Sequence, residues 1–405
     1  MSEKNWTKFP ILFSLYIAQS VPMSFFSTVV PVIMRQENYS LQSIGLLQLV
    51  KLPWIFKFLW APLIDNSAQS KKKLRLWILG SELFYALVIV SIAFFNLETN
   101  FELIVILLVI AFTASATQDI ATDIFAIRIL KPEERGIGNS MQSAGSFAGS
   151  LLGTGVLLLA YYYFGWTNLL LLLASFVAFA IIPMLLYRRP VEASPPEKKV
   201  QIWDVILFFK EKKCRKHLLI LLFYYSGIIG ILAMLKPYMV DLGYNVKEIG
   251  FMSGIVGTSV AVLFSLLSGM FIRRYGKKLA IYLFAFINLG VASYFYYLAH
   301  HPPGLFEMYL AIILLWGAYG LSTVIIYTQS MDMVRVNKEG TDFTVQIVLT
   351  HLSGLIMAII SGHVGDRLGY HGLFGIEMAL AFISILIILY NFPVWKKMDC
   401  TTNYQ

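Results

Sequence analysis

Leu41-Gln-Ser-Ile-Gly-Leu-Leu-Gln-Leu-Val-Lys51-Leu-Pro-Trp-Ile-Phe-Lys57-Phe-Leu-Trp-Ala-Pro-Leu-Ile-Asp65 is the stretch whose reading decides the fold, and Lys71-Lys72-Lys73 follows it. The part from Leu41 to Ile64 is long and apolar enough to cross a bilayer, which takes roughly 20 such residues. It nevertheless carries Lys51 near its middle and Lys57 further in. A charge at such a depth costs at least ~2.5 kcal/mol on insertion scales. A chain that keeps two of them must use them or neutralise them with groups from other spans.

The rest of the sequence extends this picture. Of 405 residues, 58% are hydrophobic and only 14% charged, and mean hydropathy is +0.70. Soluble domains average about 25% charged residues, so the chain falls in the membrane class. The first apolar run lacks a small-residue cleavage site and reads as a retained helix, not a signal peptide. Twelve spans can be drawn, at about 9–34, 41–64, 74–95, 101–128, 137–160, 167–187, 217–240, 245–272, 277–299, 306–331, 341–364 and 371–392. Connections are short except for the polar, basic, Pro-bearing stretch 188–216, which reads as a linker with a short surface helix around Trp203–Phe209. The expected organisation is a six-helix half at 1–187, a cytoplasmic linker at 188–216, and a second six-helix half with a short tail at 217–405.

Orientation follows from Lys and Arg. With both termini inside, the inner segments hold 26 of the 32 basic residues. The outer segments hold Arg35, Lys247 and Arg367, while Lys51, Lys57 and Lys236 lie within spans. This asymmetry accounts for the net charge of +9 without a nucleic-acid partner. Cys214 and Cys400 both fall on the inner side, so no disulfide framework is implied.

The two halves repeat. Asn38–Gly45 aligns with Gly243–Gly250, Gly136 and Gln142 with Gly340 and Gln346, and Gly165-Trp166 with Gly369-Tyr370, at nearly constant offset. A parallel six-span repeat resembles the major facilitator architecture, which implies an all-α membrane protein with a substrate site between the halves near the midplane. Gly269-Met-Phe-Ile-Arg273-Arg274-Tyr-Gly276-Lys277-Lys278 resembles the signature loop of those transporters, with Arg273 in the usual aspartate's place. In the first half Asp65 holds the acidic place, and Lys71–Lys73 the basic run. The resemblance implies a gating role for Asp65, Gly269, Arg273, Arg274, Gly276 and Lys277; the alternative is a basic anchor at the inner surface.

Within that superfamily, Lys57-Phe-Leu-Trp-Ala-Pro-Leu-Ile-Asp65, Ser115-Ala-Thr-Gln118-Asp119-Ile-Ala-Thr-Asp123 and Pro132-Glu-Glu-Arg-Gly-Ile-Gly-Asn139 with Gln142 resemble the AmpG-type permeases. Their group includes muropeptide importers, acetyl-CoA transporters and related siderophore permeases. Pro31–Arg35 and Leu52-Pro53-Trp54 are similar to the siderophore branch. The resemblance implies a secondary transporter driven by the proton gradient with no other cofactor. A muropeptide is the first expectation for its substrate, and a siderophore the alternative; a CoA ester follows. It would work as a monomer in the bacterial inner membrane with both termini cytoplasmic.

The candidate site residues follow from depth and spacing. Asp119 and Asp123 are four apart and share a helix face. At ~1.5 Å per residue, Lys57 lies roughly 24 Å and Asp119 roughly 27 Å from the outer surface, so they can pair. One reading is a permanent ion pair; the other is proton coupling through a carboxylate, as buried membrane acids often do. Lys51, near the midplane, either snorkels, pairs with Glu82 or Glu377, or meets an anionic substrate group. Lys236 near the outer end of its span snorkels or joins the site. Gln19, Gln118, Tyr225 and His351 are further cavity liners. Gly145, Gly149 and Gly153, with Gly250 and Gly254, have the small-residue spacing of close helix contacts, and the expectation is a sliding seam between spans 5 and 8. Gly276-Lys277 lacks the other residues of a P-loop, and no metal-ligand or nucleophile–base constellation argues for an enzyme. A non-transporting membrane sensor is the reading from another class, disfavoured by the buried lysines and acids.

Overall fold

Pro53 and Pro62 determine the shape of the Leu41–Ile64 segment. Proline lacks a backbone donor and collides with the carbonyl four residues back, so it fits best in a first helical turn and kinks or breaks a helix further in. Each of the two starts a short helix, Leu52–Phe56 and Ala61–Ser67. Tight turns precede and separate them, at Gln48–Lys51 and Lys57–Leu59. The sequence predicts one continuous span here, but the structure has a broken one. Lys57 sits at the second break, with its side chain turned inward and buried.

The structure is a computed structural model. It describes residues 7–36, 47–97, 99–187 and 199–401, with side chains described to residue 390 except at 36, 48, 212 and 213. Residues 188–198 of the expected linker, and the Asn38–Gly45 arm of the repeat, lie outside the described residues. The described chain is overwhelmingly helical. Numbering the helices of twelve or more residues, α1 is Lys8–Ser24, α2 Lys71–Ala93, α3 Phe101–Ile129, α4 Arg135–Leu151, α5 Leu157–Ala180 and α6 Lys212–Phe223. Then come α7 Ser226–Asp241, α8 Thr258–Tyr275, α9 Lys277–His300, α10 Leu305–Asp332 and α11 Glu339–Thr401. The expected surface helix is present as Trp203–Phe208.

Among the described residues nine helical stretches are long and apolar enough to cross a membrane. The difference from the twelve drawn spans lies in the broken second segment and in two long stretches, Pro132–Leu186 and Glu339–Tyr390. Each long stretch bends at one residue, Gly165 (φ 69°) and Gly369 (φ 64°). A left-handed residue interrupts the helix and excludes a Cβ at little cost only in glycine. The two bends fall at the positions that the internal repeat pairs.

The chain divides into two compact units, Met1–Ile202 with Val334–Thr344, and Trp203–Met333 with Val345–Gln405. The first is built on a core of Phe25, Phe26, Tyr85, Ile89, Phe112 and Leu173 among others. The second has its own core around Tyr224, Phe284, Phe295, Leu315 and Phe374. Residues 334–344 lie within the second half in sequence but belong to the first unit.

The glycines of α4 and the turn after it serve packing inside the first unit. A Cβ on Gly145 would lie 2.7 Å from the Phe13 carbonyl oxygen, on Gly149 2.6 Å from Ser20 Cβ, and on Gly153 2.4 Å from the Val21 carbonyl oxygen. These residues let the backbones of α1 and α4 approach closely. The expected seam with span 8 is therefore corrected for this trio, whose partner is α1. Gly250 and Gly254 have nothing within 4 Å of an added Cβ.

Candidate functional site

The polar residues of the first unit converge on the C-terminal half of α3. From Ala114 to Ile127 only Thr117 is not fully buried, which leaves its acids no access to bulk water. Lys57 Nζ forms an ion pair with Asp119 Oδ2. The two residues are 1% and 3% exposed, so neither charge is relieved by solvent. The Lys57 ammonium also lies 4.9 Å from the centre of the Trp54 ring, a cation–π contact within the same broken segment.

One turn on, Asp123 meets neutral partners. Tyr16 donates its hydroxyl hydrogen to Asp123 Oδ1. Gln142 Nε2 donates to the Tyr16 oxygen at 3.0 Å and reaches Asp123 Oδ1 at 3.5 Å. Beside them Gln19 Nε2 donates to Gln118 Oε1. The cluster thus holds one lysine and two carboxyl groups. With both acids ionised it would carry a net negative charge in a site of low dielectric, where an uncompensated charge is very costly. The structure brings Lys57, Asp119, Asp123, Gln19 and Gln118 together. Sequence reasoning had not counted Tyr16, Trp54 or Gln142 as site residues. Tyr16 lies one turn before Gln19 on α1, which was the available signal.

The second unit holds a different site. A cavity of about 310 Å³ is lined by Tyr225, Tyr319, Thr323, Tyr327, Thr350 and His351 with apolar neighbours from α7 and α11. Tyr327 Oη and His351 Nε2 are 3.5 Å apart, and the Tyr225 and Tyr319 rings meet edge to face at 5.9 Å. Tyr225 and His351 were expected as liners. Tyr319, Thr323 and Tyr327 were not, although their spacing of four puts them on one face of α10. No lysine, arginine or carboxylate lines this cavity. Glu377 lies elsewhere in the unit, buried, with Ser361 donating to it at 2.6 Å.

Two expected residues stand apart. Lys236 is exposed on α7 and does not line the cavity. Lys51 is exposed at the end of the turn before Pro53. It is not paired with Glu82, whose two carboxyl oxygens have no hydrogen-bond partner, nor with Glu377.

The signature-loop residues also separate. Asp65 accepts hydrogen bonds from Gly340 N at 2.8 Å, Thr341 N at 2.7 Å and Thr341 Oγ1 at 2.6 Å. It therefore caps the free amides that begin α11, where a negative charge is favoured. Burial pushes the Asp65 carboxyl up to about 7, against the three hydrogen bonds that favour its charged form. Arg128 supports the contact, reaching Glu339 at 3.2 Å and the Ala68 carbonyl at 2.8 Å. In the second unit Gly269 is buried, Arg273 and Arg274 are exposed, Gly276 (φ 85°) ends α8, and Lys277 pairs with Asp332.

The family profile of the Major Facilitator Superfamily matches residues 12–341 and, separately, 218–397. The chain belongs to the Major Facilitator Superfamily. It is an integral membrane transporter of that type, not an enzyme. It is 23% identical over 385 residues to the anhydromuropeptide permease of Escherichia coli K12, covering 94% of this chain and 78% of the permease. A putative AmpG 4 transporter of Rickettsia conorii is 21% identical over 406 residues, covering 96% and 97%. An uncharacterized protein of Haemophilus influenzae is 26% identical over 403 residues, covering 95% and 94%. Among solved structures, a bacterial homologue of the iron transporter ferroportin in an outward-facing state superposes with a TM-score of 0.70 at 14% identity, covering 96% and 99%. That likeness bears on the fold alone. The AmpG-type resemblance read from the second and fourth spans is borne out by these relatives.

Proposed function

We propose that this transporter is a proton-coupled importer of a bulky, polar, anionic solute, a cell-wall muropeptide, in the bacterial inner membrane. The observation that carries the coupling is the enclosed trio Lys57, Asp119 and Asp123: one ammonium, paired with Asp119, stands near two carboxyl groups. Asp119 is neutralised by Lys57. Among the described residues Asp123 takes its hydrogen bonds from the neutral groups of Tyr16 and Gln142, so it is the acid that holds the proton. When it releases that proton, Lys57 has two anions to satisfy, and the contacts of α1, α3 and the broken segment must rearrange. Coupling of this kind needs no cofactor besides the proton gradient.

The solute's polar groups meet the hydroxyls and imidazole of the second unit, from Tyr225, Thr323, Tyr327 and His351, with the tyrosine rings offering flat faces to sugar rings. Lys51, exposed and without a carboxylate partner among the described residues, supplies a cation for an anionic group. The choice of muropeptide rests on the similarity to the Escherichia coli permease over nearly the whole chain. Both termini and the 188–216 linker lie in the cytoplasm on the basic-residue asymmetry, and one chain is the transporting unit.

Proteoliposomes given anhydromuropeptide, a ferric siderophore and a CoA ester side by side test this reading. Accumulation of the muropeptide alone, driven by an inward-directed proton gradient, is expected. Accumulation of another solute, or of none, contradicts the substrate assignment.

A further inference from the structure

On the outer face of the first unit, α2 and α3 enclose a groove of about 540 Å³ that the transport cycle above does not use. Its floor is Gly80, where an added Cβ would have nothing within 4 Å, and its walls include Leu76, Trp77, Phe84 and Ile110. Leu76, Phe84 and Ile110 are exposed.

Of the polar groups along the groove, Ser81 apart, three are already spent on the protein. Thr113 donates to the Val109 carbonyl at 2.7 Å, and Thr117 to the Thr113 carbonyl at 2.7 Å. The Trp77 indole donates to Ser67 at 2.8 Å. These groups leave the groove with little to offer a polar molecule and much to offer a hydrocarbon chain.

At the end of the groove the chemistry changes. Lys73, Trp77, Gly80 and Phe84 follow one another at helical spacing along a single stripe of α2. Lys72 stands beside Lys73 at the helix start. Both are exposed, and neither ammonium has an ion-pair partner among the described residues. The start of a helix adds positive potential of its own. From Lys73 to Gly80 the rise is roughly 10 Å, so a phosphate at the lysines would place its acyl chains at the groove.

We propose that this groove is a binding site for one anionic phospholipid, its headgroup on Lys72 and Lys73 and one acyl chain over Gly80 between Trp77 and Phe84. The charge complementarity at the mouth selects an acidic headgroup, and the largely apolar trough selects a chain. The proposal stands apart from the choice of solute or coupling ion.

Native mass spectrometry of the full chain in detergent, titrated with phosphatidylglycerol or with phosphatidylcholine of the same acyl chains, tests it. One phosphatidylglycerol per chain should be retained in preference to phosphatidylcholine. Because each basic side chain at an anionic lipid surface is worth about a fivefold preference, Lys72→Gln with Lys73→Gln should weaken phosphatidylglycerol retention by about thirtyfold. Lys210→Gln with Lys247→Gln removes the same charge from the other unit and should leave retention unchanged. Gly80→Leu fills the floor and should abolish retention of the first lipid, with the thermal midpoint preserved. Gly80→Ala, smaller and a better helix former, checks that the position tolerates a side chain. Equal retention of the two lipids, or undiminished retention in the lysine pair variant or in Gly80→Leu, overturns the proposal.

Discussion

The two units share their backbone punctuation but not their buried chemistry. Gly165 and Gly369 bend equivalent long helical stretches with nearly the same φ. At the centre of the first unit lies an ionic cluster of Lys57, Asp119 and Asp123. The second offers a cavity lined by tyrosines, threonines and one histidine, and its buried Glu377 is held by a serine hydroxyl, not a cation. Duplication therefore preserved where the chain turns while leaving the polar interior free to diverge. A turn demands one residue type, glycine at positive φ, whereas a buried polar layer demands only that its groups satisfy one another. Under the proposed function, the charged cluster of the first unit handles the proton and the neutral hydrogen-bonding groups of the second handle the solute.

The sharpest way to break this contrast is to remove one charge from the first unit. Asp119→Asn leaves Lys57 buried and unpaired, which costs about 3–5 kcal/mol. A large drop in thermal midpoint and loss of transport are expected. Lys57→Gln with Asp119→Asn should recover most of the stability without recovering uphill accumulation. Recovery of both in the double variant would assign the pair to packing, and the contrast between the units would lose its functional meaning.

Substitution in the second unit should have a smaller effect of another kind. Tyr225→Phe, Tyr327→Phe or His351→Gln each removes a neutral hydrogen bond, worth roughly 0.5–1.5 kcal/mol. Apparent KM should rise about two- to tenfold, with the pH profile of accumulation unmoved. A shifted pH profile would place a coupling group in the second unit.

The smallest expected effect concerns Asp65 at the start of α11. Its carboxyl, raised from 3.8 to about 7, binds a proton more tightly in the folded state than in the unfolded one. Its stabilising contribution is then complete below pH 3.8 and is lost as pH rises through 7. The thermal midpoint should decline over that window in the wild type, and Asp65→Asn, which keeps an oxygen acceptor, should remove that part of the slope. A wild-type midpoint that gains on the variant as pH rises would show that the three hydrogen bonds outweigh burial.

Much of the helical architecture was legible in the sequence because bilayer thickness imposes simple lengths on apolar spans. The Lys57–Asp119 pairing was legible too, since rise per residue converts position along a span into depth. The broken second segment was not foreseen, although Pro53 and Pro62 were in plain view, because hydropathy does not register backbone donors. Gly145, Gly149 and Gly153 announced a close helix contact but not its partner, as small-residue spacing is the same whichever helix arrives. Tyr319 and Tyr327 were missed because tyrosines in an apolar span look the same whether they face lipid, the interface or a cavity. Lys236 was included on depth alone, and its exposed side chain lies away from the cavity.

The central claim is that Asp123, next to the Lys57–Asp119 pair, holds the transported proton. Its most direct test compares wild type and Asp123→Asn in proteoliposomes, with solute accumulation under an imposed pH gradient and solute exchange without one measured on the same vesicles. Asparagine keeps the hydrogen bonds of Tyr16 and Gln142 but cannot release a proton. The account predicts that accumulation falls to simple equilibration while exchange persists. Accumulation against the gradient at the wild-type level in Asp123→Asn would contradict it.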